Sequence, residues 1–511
     1  MIQSANELWR SRDYQQSIEL LESASRLDPA NVGILLNLGL GYGVCYDYAS
    51  AERCFEKALG VAARKAEVLA MAGQHCLHFN RPKMARHYLE RAIKEPNVSP
   101  DSFIRLAEIY EHLHLLEEAA HLIECALQID KNYAMGLFVR ARLKRLTGQW
   151  EEAEKILRSL LTQSSPQTLY ARIRSSYELG TILDHQGRYD DAMAAFLKAK
   201  AMMLPNAAQH IATQRAVHAR FKQAETNISV EVLERWFKAG EKVQDPHRLT
   251  LLCGHPRSGT TLLEQVLDSH PEVISAEETN IFFSSAEEAK VFYNTCLPIK
   301  RGFPNDPSVL SVLESASPDA CQQAREHYFR RMEMALGNPI GDRLLIDKNP
   351  SLTPLVPAFV RIFPEAKFLA MIRDPRDVCL SCFMQPIPLG PISAMFLSLE
   401  DTVQEYASVM GFWRAIAPRL QNLHLEIRYE DMVENLESVS RRTLDFLGIS
   451  WDARVLHFNE FMKEKLVRSP TSADVAKPIF KNSVGRWRNY QKYIDPWLEK
   501  LAPFVKAFGY E

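Results

Sequence analysis

Ala24, Ala58, Ala92 and Ala126 stand 34 residues apart, and this interval constrains the fold more than any other feature of the chain. Leu160 holds the next slot, and Ala199 follows after 39 residues, so five residues are inserted in the last interval. Seven residues before these positions come Ser17, Ala51, Ala85, Ala119, Ala153 and Ala192. Three residues before them come Leu21, Phe55, Leu89, Ile123, Leu157 and Phe196. Nineteen residues before them come Ala5, Gly39, Gly73, Ala107, Ala141 and Gly180. Three small columns and one large column thus keep register through six copies. Such a period is a pair of antiparallel helices per copy, in which small residues permit close approach and the large residue fills the gap between neighbours. One pair cannot bury its apolar face alone, so copies stack into a solenoid. A plain helical bundle has no reason to hold a fixed period.

The repeat resembles the tetratricopeptide-repeat family over about residues 1–204, with TGQWEEA (147–153) and QGRYDDA (186–192) as turns between the helices of a copy. The insertion falls in SSPQTLYARIRSSYEL (164–179) and lengthens either a connection or the first helix of the sixth copy. The resemblance implies a surface that holds a peptide or protein. Residues 205–248 read as a helical connector, in which Val232, Leu233, Trp236 and Phe237 share one face. A second domain is expected over 249–511.

Composition excludes several classes. Of 511 residues, 46% are hydrophobic and 24% charged, a mixture that rules out disorder. The 61 basic and 63 acidic side chains leave a net charge of -2, so the basic surplus of a nucleic-acid binder is missing. Nine scattered cysteines do not make a disulfide scaffold. Cys379 and Cys382 have C-x-x-C spacing but no second pair nearby, so no metal is expected. The opening MIQSANELWRSRDYQQSIELLE lacks the pattern of a signal peptide, and no apolar run is long enough to span a membrane. A cytoplasmic location is therefore expected. Nothing in the sequence assigns an oligomeric state.

At residue 249 the pattern changes to that of an α/β domain with a mainly parallel sheet. The apolar run LTLLCG (249–254) precedes HPRSGTT and then LLEQVLDSHP, a strand, a tight turn and a helix. Gly254 and Gly259 have the G-x-x-x-x-G spacing of a phosphate loop, whose backbone N–H groups and helix N-terminus face an anion. Thr260 stands where the lysine of a triphosphate loop is expected, and Arg257 supplies charge from within the turn. KFLAMIRDPRDVCLSCF (367–383) repeats the strand, turn and helix pattern, with Arg373 at a strand end and Ser381 eight residues on. An arginine fork and a hydroxyl can converge on one phosphate. Two separated anion sites select a nucleotide phosphorylated at both ends, which argues against an ATP-dependent kinase.

The segment PRSGTTLLEQVLDSHPEVISAEETNIF resembles the donor-binding opening of sulfotransferases, which use 3'-phosphoadenosine-5'-phosphosulfate. The resemblance implies that Arg257, Ser258, Gly259, Thr260 and Thr261 hold the 5' end of this co-substrate, and that Arg373 and Ser381 hold its 3'-phosphate. Within that family the chain looks most like the protein-tyrosine sulfotransferases. Their G-E-E-T segment stands here as A-E-E-T, which implies Glu278 as general base, with Glu277 the weaker candidate. Lys348, in IDKNPSLT (346–353), matches the lysine placed near the bridging oxygen of the donor. Tyr429, after the strand HLEIRY, matches a tyrosine near the adenosine. Ser472 and Lys477, in TSADVAKP, match a late loop that closes over the nucleotide. One position departs: Gln385 stands where the relatives carry a further arginine, and Arg486 or Arg488 are candidates to replace it. His270, before a proline at the end of the first helix of the domain, reads as structural. The expected reaction is sulfuryl transfer to an acceptor hydroxyl, with protein tyrosine one candidate. The alternatives are a carbohydrate or small-molecule hydroxyl, or a repeat scaffold whose nucleotide domain does not turn over.

Overall fold

The computed structural model describes residues 1–10, 13–240, 247–283, 309–462 and 483–510. The chain divides into two compact units, Met1–Met203 and Leu204–Glu511.

The first unit is entirely helical. Its six pairs are α1 (Ile2–Arg10) with α2 (Tyr14–Leu27), α3 (Val32–Val44) with α4 (Tyr48–Val61), α5 (Lys65–His78) with α6 (Pro82–Ala92), α7 (Pro100–His112) with α8 (Leu116–Ile129), α9 (Ala134–Leu146) with α10 (Trp150–Thr162), and α11 (Leu169–His185) with α12 (Tyr189–Met203). Every residue of the four repeat columns is buried. The large column fills space within its own copy as well as toward the next, where Phe55 stacks on His75 and meets Tyr88 edge-on. Phe55, Leu89 and Phe196 lie against Gly39, Gly73 and Gly180 of their own copy, where an added Cβ would overlap Phe55, or lie 2.7 Å from Leu89 and 2.5 Å from Phe196. The missing side chain on one helix is the space that its partner's large residue fills. The insertion resolves into a short 3-10 turn at Pro166–Thr168 and a first helix of 17 residues, against 13 in α9. Ion pairs link the first helices of the last three copies: Arg142 on α9 reaches Glu108 and Glu111 on α7, Arg145 on α9 reaches Glu178 on α11, and Arg174 on α11 reaches back two copies to Glu108.

The second unit contains the connector helices α13 (Ala208–Asn227) and α14 (Val230–Gly240). In α14 the expected face is turned inward: Val232, Leu233 and Trp236 are buried, and the Trp236 indole donates to Glu314. In α13, Gln214 and His218 both bond Glu405, a buried acid on the helix Leu399–Ile416. Among the described residues the sheet has five strands, β1 (Leu249–Gly254), β2 (Val273–Glu277), β3 (Leu344–Lys348), β4 (Lys367–Ile372) and β5 (His424–Arg428), in the order β2-β3-β1-β4-β5. All four pairings are parallel. The three inner strands are almost continuously buried, as expected of a parallel sheet covered on both faces. On one face, α15 (Thr260–Asp268) lays Leu263, Val266 and Leu267 on Leu252, Ile346 and Leu369. Among the described residues no helix is long and apolar enough to cross a membrane.

Candidate active site

Parallel strands end at the same edge of the sheet, and each end here carries residues singled out from the sequence. β1 runs into the loop 255–259, β2 ends at Glu277 and Glu278 follows, and β3 ends at Lys348. Arg373 follows β4, and Tyr429 follows β5. The strand order reverses direction at β1, and ligands of open α/β sheets bind in the crevice at such a reversal.

The loop after β1 depends on unusual backbone geometry. Gly254 has φ +125, and a Cβ there would stand 2.5 Å from the Met371 carbonyl oxygen. The Thr353 hydroxyl accepts from the Gly254 N–H at 2.9 Å and donates to the Gly254 carbonyl at 2.6 Å. Arg257 is left-handed at φ +72, and Gly259, at φ +99, caps α15. Ser258, Thr260 and Thr261 are buried. The loop therefore turns back over the N-terminus of α15, where unpaired N–H groups and the helix dipole favour an anion.

The second anion-gripping segment meets the first. Arg257 Nε donates to Ser381 Oγ at 3.1 Å, across 124 positions of sequence. Arg373 Nη1 donates to the Arg257 carbonyl at 3.1 Å, and Nη2 to the Ser483 carbonyl at 2.5 Å. Arg373 Nε is buried and has no hydrogen-bond partner among the described residues. A guanidinium this buried, with an open donor, fits an anionic ligand group. The Tyr429 ring lies between the Arg373 guanidinium, 4.8 Å from its centroid, and Gly259, where a Cβ would stand 2.5 Å from Tyr429 Cδ2. Asp374 caps the helix Pro375–Met384 that carries Ser381, and Arg376 clasps Asp374 at 2.9 and 2.7 Å.

The third element is a lysine among carboxylates. Lys348 is wholly buried, with Nζ 2.8 Å from Glu278 Oε1, 3.2 Å from Glu277 Oε1 and 3.8 Å from Glu264 Oε2. Burial pulls its ammonium down, but Glu264, Glu277 and Glu278 outweigh that and hold it above the ordinary lysine value. Glu278 has φ +47 and donates its N–H to the Lys348 carbonyl at 2.9 Å. Its side chain is 47% exposed, so its carboxylate reaches solvent at the edge of the sheet where the strands end. Asp347, beside Lys348 on the strand, is wholly buried and accepts from the Tyr328 hydroxyl at 2.7 Å. Burial pushes its carboxyl up to about 7.

Of the residues expected at the site, Ser472 and Lys477 lie outside the described residues. The chain beyond them is anchored: Asp377 accepts from the Gly485 N–H at 2.7 Å and from the Trp487 N–H at 2.8 Å. Of the two candidate arginines for the role missing at Gln385, Arg488 lies 5.2 Å from the Trp487 ring centroid and folds back against Gly485. His270 bonds the Ser450 carbonyl and the Glu272 N–H, which is a structural role. Sequence reasoning missed Glu264, Thr353 and Asp377. Glu264 and Asp377 look like ordinary helix acids, and Thr353 like part of a loop. The one available signal was the S-x-T-P pattern (351–354) after Lys348, which marks a turn rather than a partner for Gly254.

Residues 250–453 match the family described as "Sulfotransferase family", and residues 2–40 and 138–208 match "Tetratricopeptide repeat". An uncharacterised protein of Aquifex aeolicus (strain VF5) is 24% identical over 423 residues, which cover 77% of this chain and 51% of that protein. Protein-tyrosine sulfotransferase A of Caenorhabditis elegans is 25% identical over 274 residues, 50% of this chain and 66% of that protein. Protein-tyrosine sulfotransferase 1 of Danio rerio is 24% identical over 271 residues, 52% of this chain and 72% of that protein. The chain thus spans about half the length of the first relative (51%) and about two thirds of the second (66%).

Proposed function

From a chain in which a tetratricopeptide-repeat region precedes a sulfotransferase domain resembling the protein-tyrosine enzymes, we propose an enzyme that transfers a sulfuryl group from 3'-phosphoadenosine-5'-phosphosulfate to an acceptor hydroxyl. The observation that carries this reading is the 3.1 Å bond from Arg257 to Ser381. It brings the loop after β1 and the segment after β4 to one place at the sheet edge, where one nucleotide carrying two phosphates can reach both.

The donor supplies an activated sulfur that any correctly placed hydroxyl can attack. The residues of this chain do the rest. The loop 255–259 and Arg257 hold the 5' end, and Arg373 and Ser381 hold the 3'-phosphate. Tyr429 offers a ring face beside Arg373 and Gly259. Glu278 takes the proton of the acceptor hydroxyl as its oxygen bonds to sulfur. The bond from sulfur to the bridging oxygen breaks, and its electron pair stays on the phosphate. Lys348 and Arg257 offset the charge that gathers there. Positioning and electrostatics carry the chemistry, as in phosphoryl transfer, and no step needs a metal. Tyrosine is the acceptor favoured by the likeness to the protein-tyrosine enzymes, and the repeats are suited to presenting a peptide.

The test is calorimetric titration with adenosine 3',5'-bisphosphate, with ATP and AMP as controls. The bisphosphate should bind with a Kd at least about tenfold below that of ATP, and Ser381→Ala should weaken it about tenfold, the cost of one charge-assisted hydrogen bond. Equal or tighter binding of ATP would overturn the reading in favour of a kinase. Binding without sulfuryl transfer to any peptide, carbohydrate or phenol would favour a scaffold.

A further inference from the structure

Glu264 has no part in the reaction as set out above, yet it occupies a telling place. It lies on α15, five residues after the glycine that caps that helix, and is wholly buried. The Ser275 hydroxyl donates to its Oε1 at 2.9 Å, and its Oε2 lies 3.8 Å from Lys348 Nζ, with both side chains at 0% exposure. The carboxylates around that ammonium form a gradient from interior to solvent: Glu264 at 0%, Glu277 at 14% and Glu278 at 47% exposure. The outermost is the one assigned as base. Lys348 Nζ occupies Glu278 Oε1 at 2.8 Å, so the lysine has to turn from Glu278 before that oxygen can bond an acceptor hydroxyl. A wholly buried ammonium that loses one partner needs another that does not leave with it.

We infer that Glu264 is the positioning residue for Lys348, a fixed interior counter-ion that keeps the ammonium in the site while Glu278 is released to act as base. Its purpose rests on the transferase reading, but the pairing itself does not. Ser275 holds the carboxylate in place, so Glu264 stays behind when the lysine swings toward a phosphate oxygen.

The experiment is a double-mutant cycle read by thermal unfolding of the full chain. The proteins are wild type, Glu264→Gln, Lys348→Met and the double variant, each melted from about pH 5 to about pH 8. The groups that face the ammonium are Glu264 on α15 and Glu277 and Glu278 at the end of β2, with Asp347 beside it on β3. In Lys348→Met, Glu277 and Glu278 can turn to water, whereas Glu264 is left as a charge in the interior. Its melting temperature should therefore fall most at pH 8, and the loss should shrink toward pH 5, where the carboxyl can take a proton. The double variant should recover most of that loss and lose its pH dependence. Glu264→Asp, which keeps the charge, should stay closer to wild type than Glu264→Gln. Recovery of folded protein only in the double variant is the same result in stronger form. Additive melting shifts, a pH-independent loss in Lys348→Met, or failure of both lysine variants to fold would overturn the inference. Titration of the wild type with adenosine 3',5'-bisphosphate separates the two claims. A wild type that binds none sinks the transferase reading and leaves the pairing of Glu264 with Lys348, as measured by the cycle, untouched.

Discussion

Glu278 adopts a left-handed backbone, φ +47, which costs a residue with a Cβ roughly 1–2 kcal/mol. Its N–H bond to the Lys348 carbonyl and its carboxylate on Lys348 Nζ together hold that conformation. The geometry turns the chain sharply at the end of β2 and leaves Glu278 exposed while Glu277 stays half-buried. Glu278→Gln removes the proposed proton acceptor and keeps the shape. Turnover with the labelled phosphosulfate donor should drop by about a hundredfold or more, with bisphosphate affinity within about threefold of wild type. A fall of less than about tenfold would move the base to another residue. Glu278 could be named from the sequence because its A-E-E-T segment resembles the G-E-E-T segment of the protein-tyrosine enzymes. The sequence could not place Glu264 beside Lys348, because an acid in TTLLEQVL reads as one more polar residue on an amphipathic helix. Only the packing of α15 on the sheet turns it inward.

At the scale of elements, the repeat columns and the strand, turn and helix units were legible because each is local. The period of a helix pair and the glycines of a tight turn are written within about 40 residues. The partner of each column was not legible. Gly39 faces Phe55 of its own copy, and a Cβ there would overlap the ring, whereas Gly60, also within a helix, has nothing within 4 Å. Two substitutions of similar chemistry should therefore have opposite signs. Gly39→Ala should destabilise the solenoid by about 1–3 kcal/mol through overpacking. Gly60→Ala should stabilise it by about 0.5–1 kcal/mol through helix propensity. Chemical denaturation followed by circular dichroism measures both, and equal effects would mean that the close approach at Gly39 is not a constraint.

At the scale of the whole molecule, composition marked 205–248 as a connector, yet the described part of it folds with the second unit. Glu405 is 2% exposed, and its described partners are Gln214 and His218 of α13, with His218 Nε2 at 2.7 Å. A chain beginning at residue 204 should unfold cooperatively and bind adenosine 3',5'-bisphosphate as the full chain does. A chain beginning at residue 249 loses both partners of Glu405 and uncovers the face of the helix Leu399–Ile416 on which α13 packs, and should melt well below it. Equal melting temperatures would make α13 dispensable. The sequence by itself determined the solenoid, the parallel α/β unit and the two strand-turn-helix segments proposed to hold phosphate, because each rests on spacing along a short stretch of chain. Only the tertiary structure decided that Arg257 meets Ser381 across 124 positions, that Asp377 anchors Gly485 across 108, and that Gln214 meets Glu405 across 191. Those contacts depend on the order of strands in the sheet and on which helix covers which face. Burial and pairing of charge, rather than any local preference of the backbone, select among such arrangements.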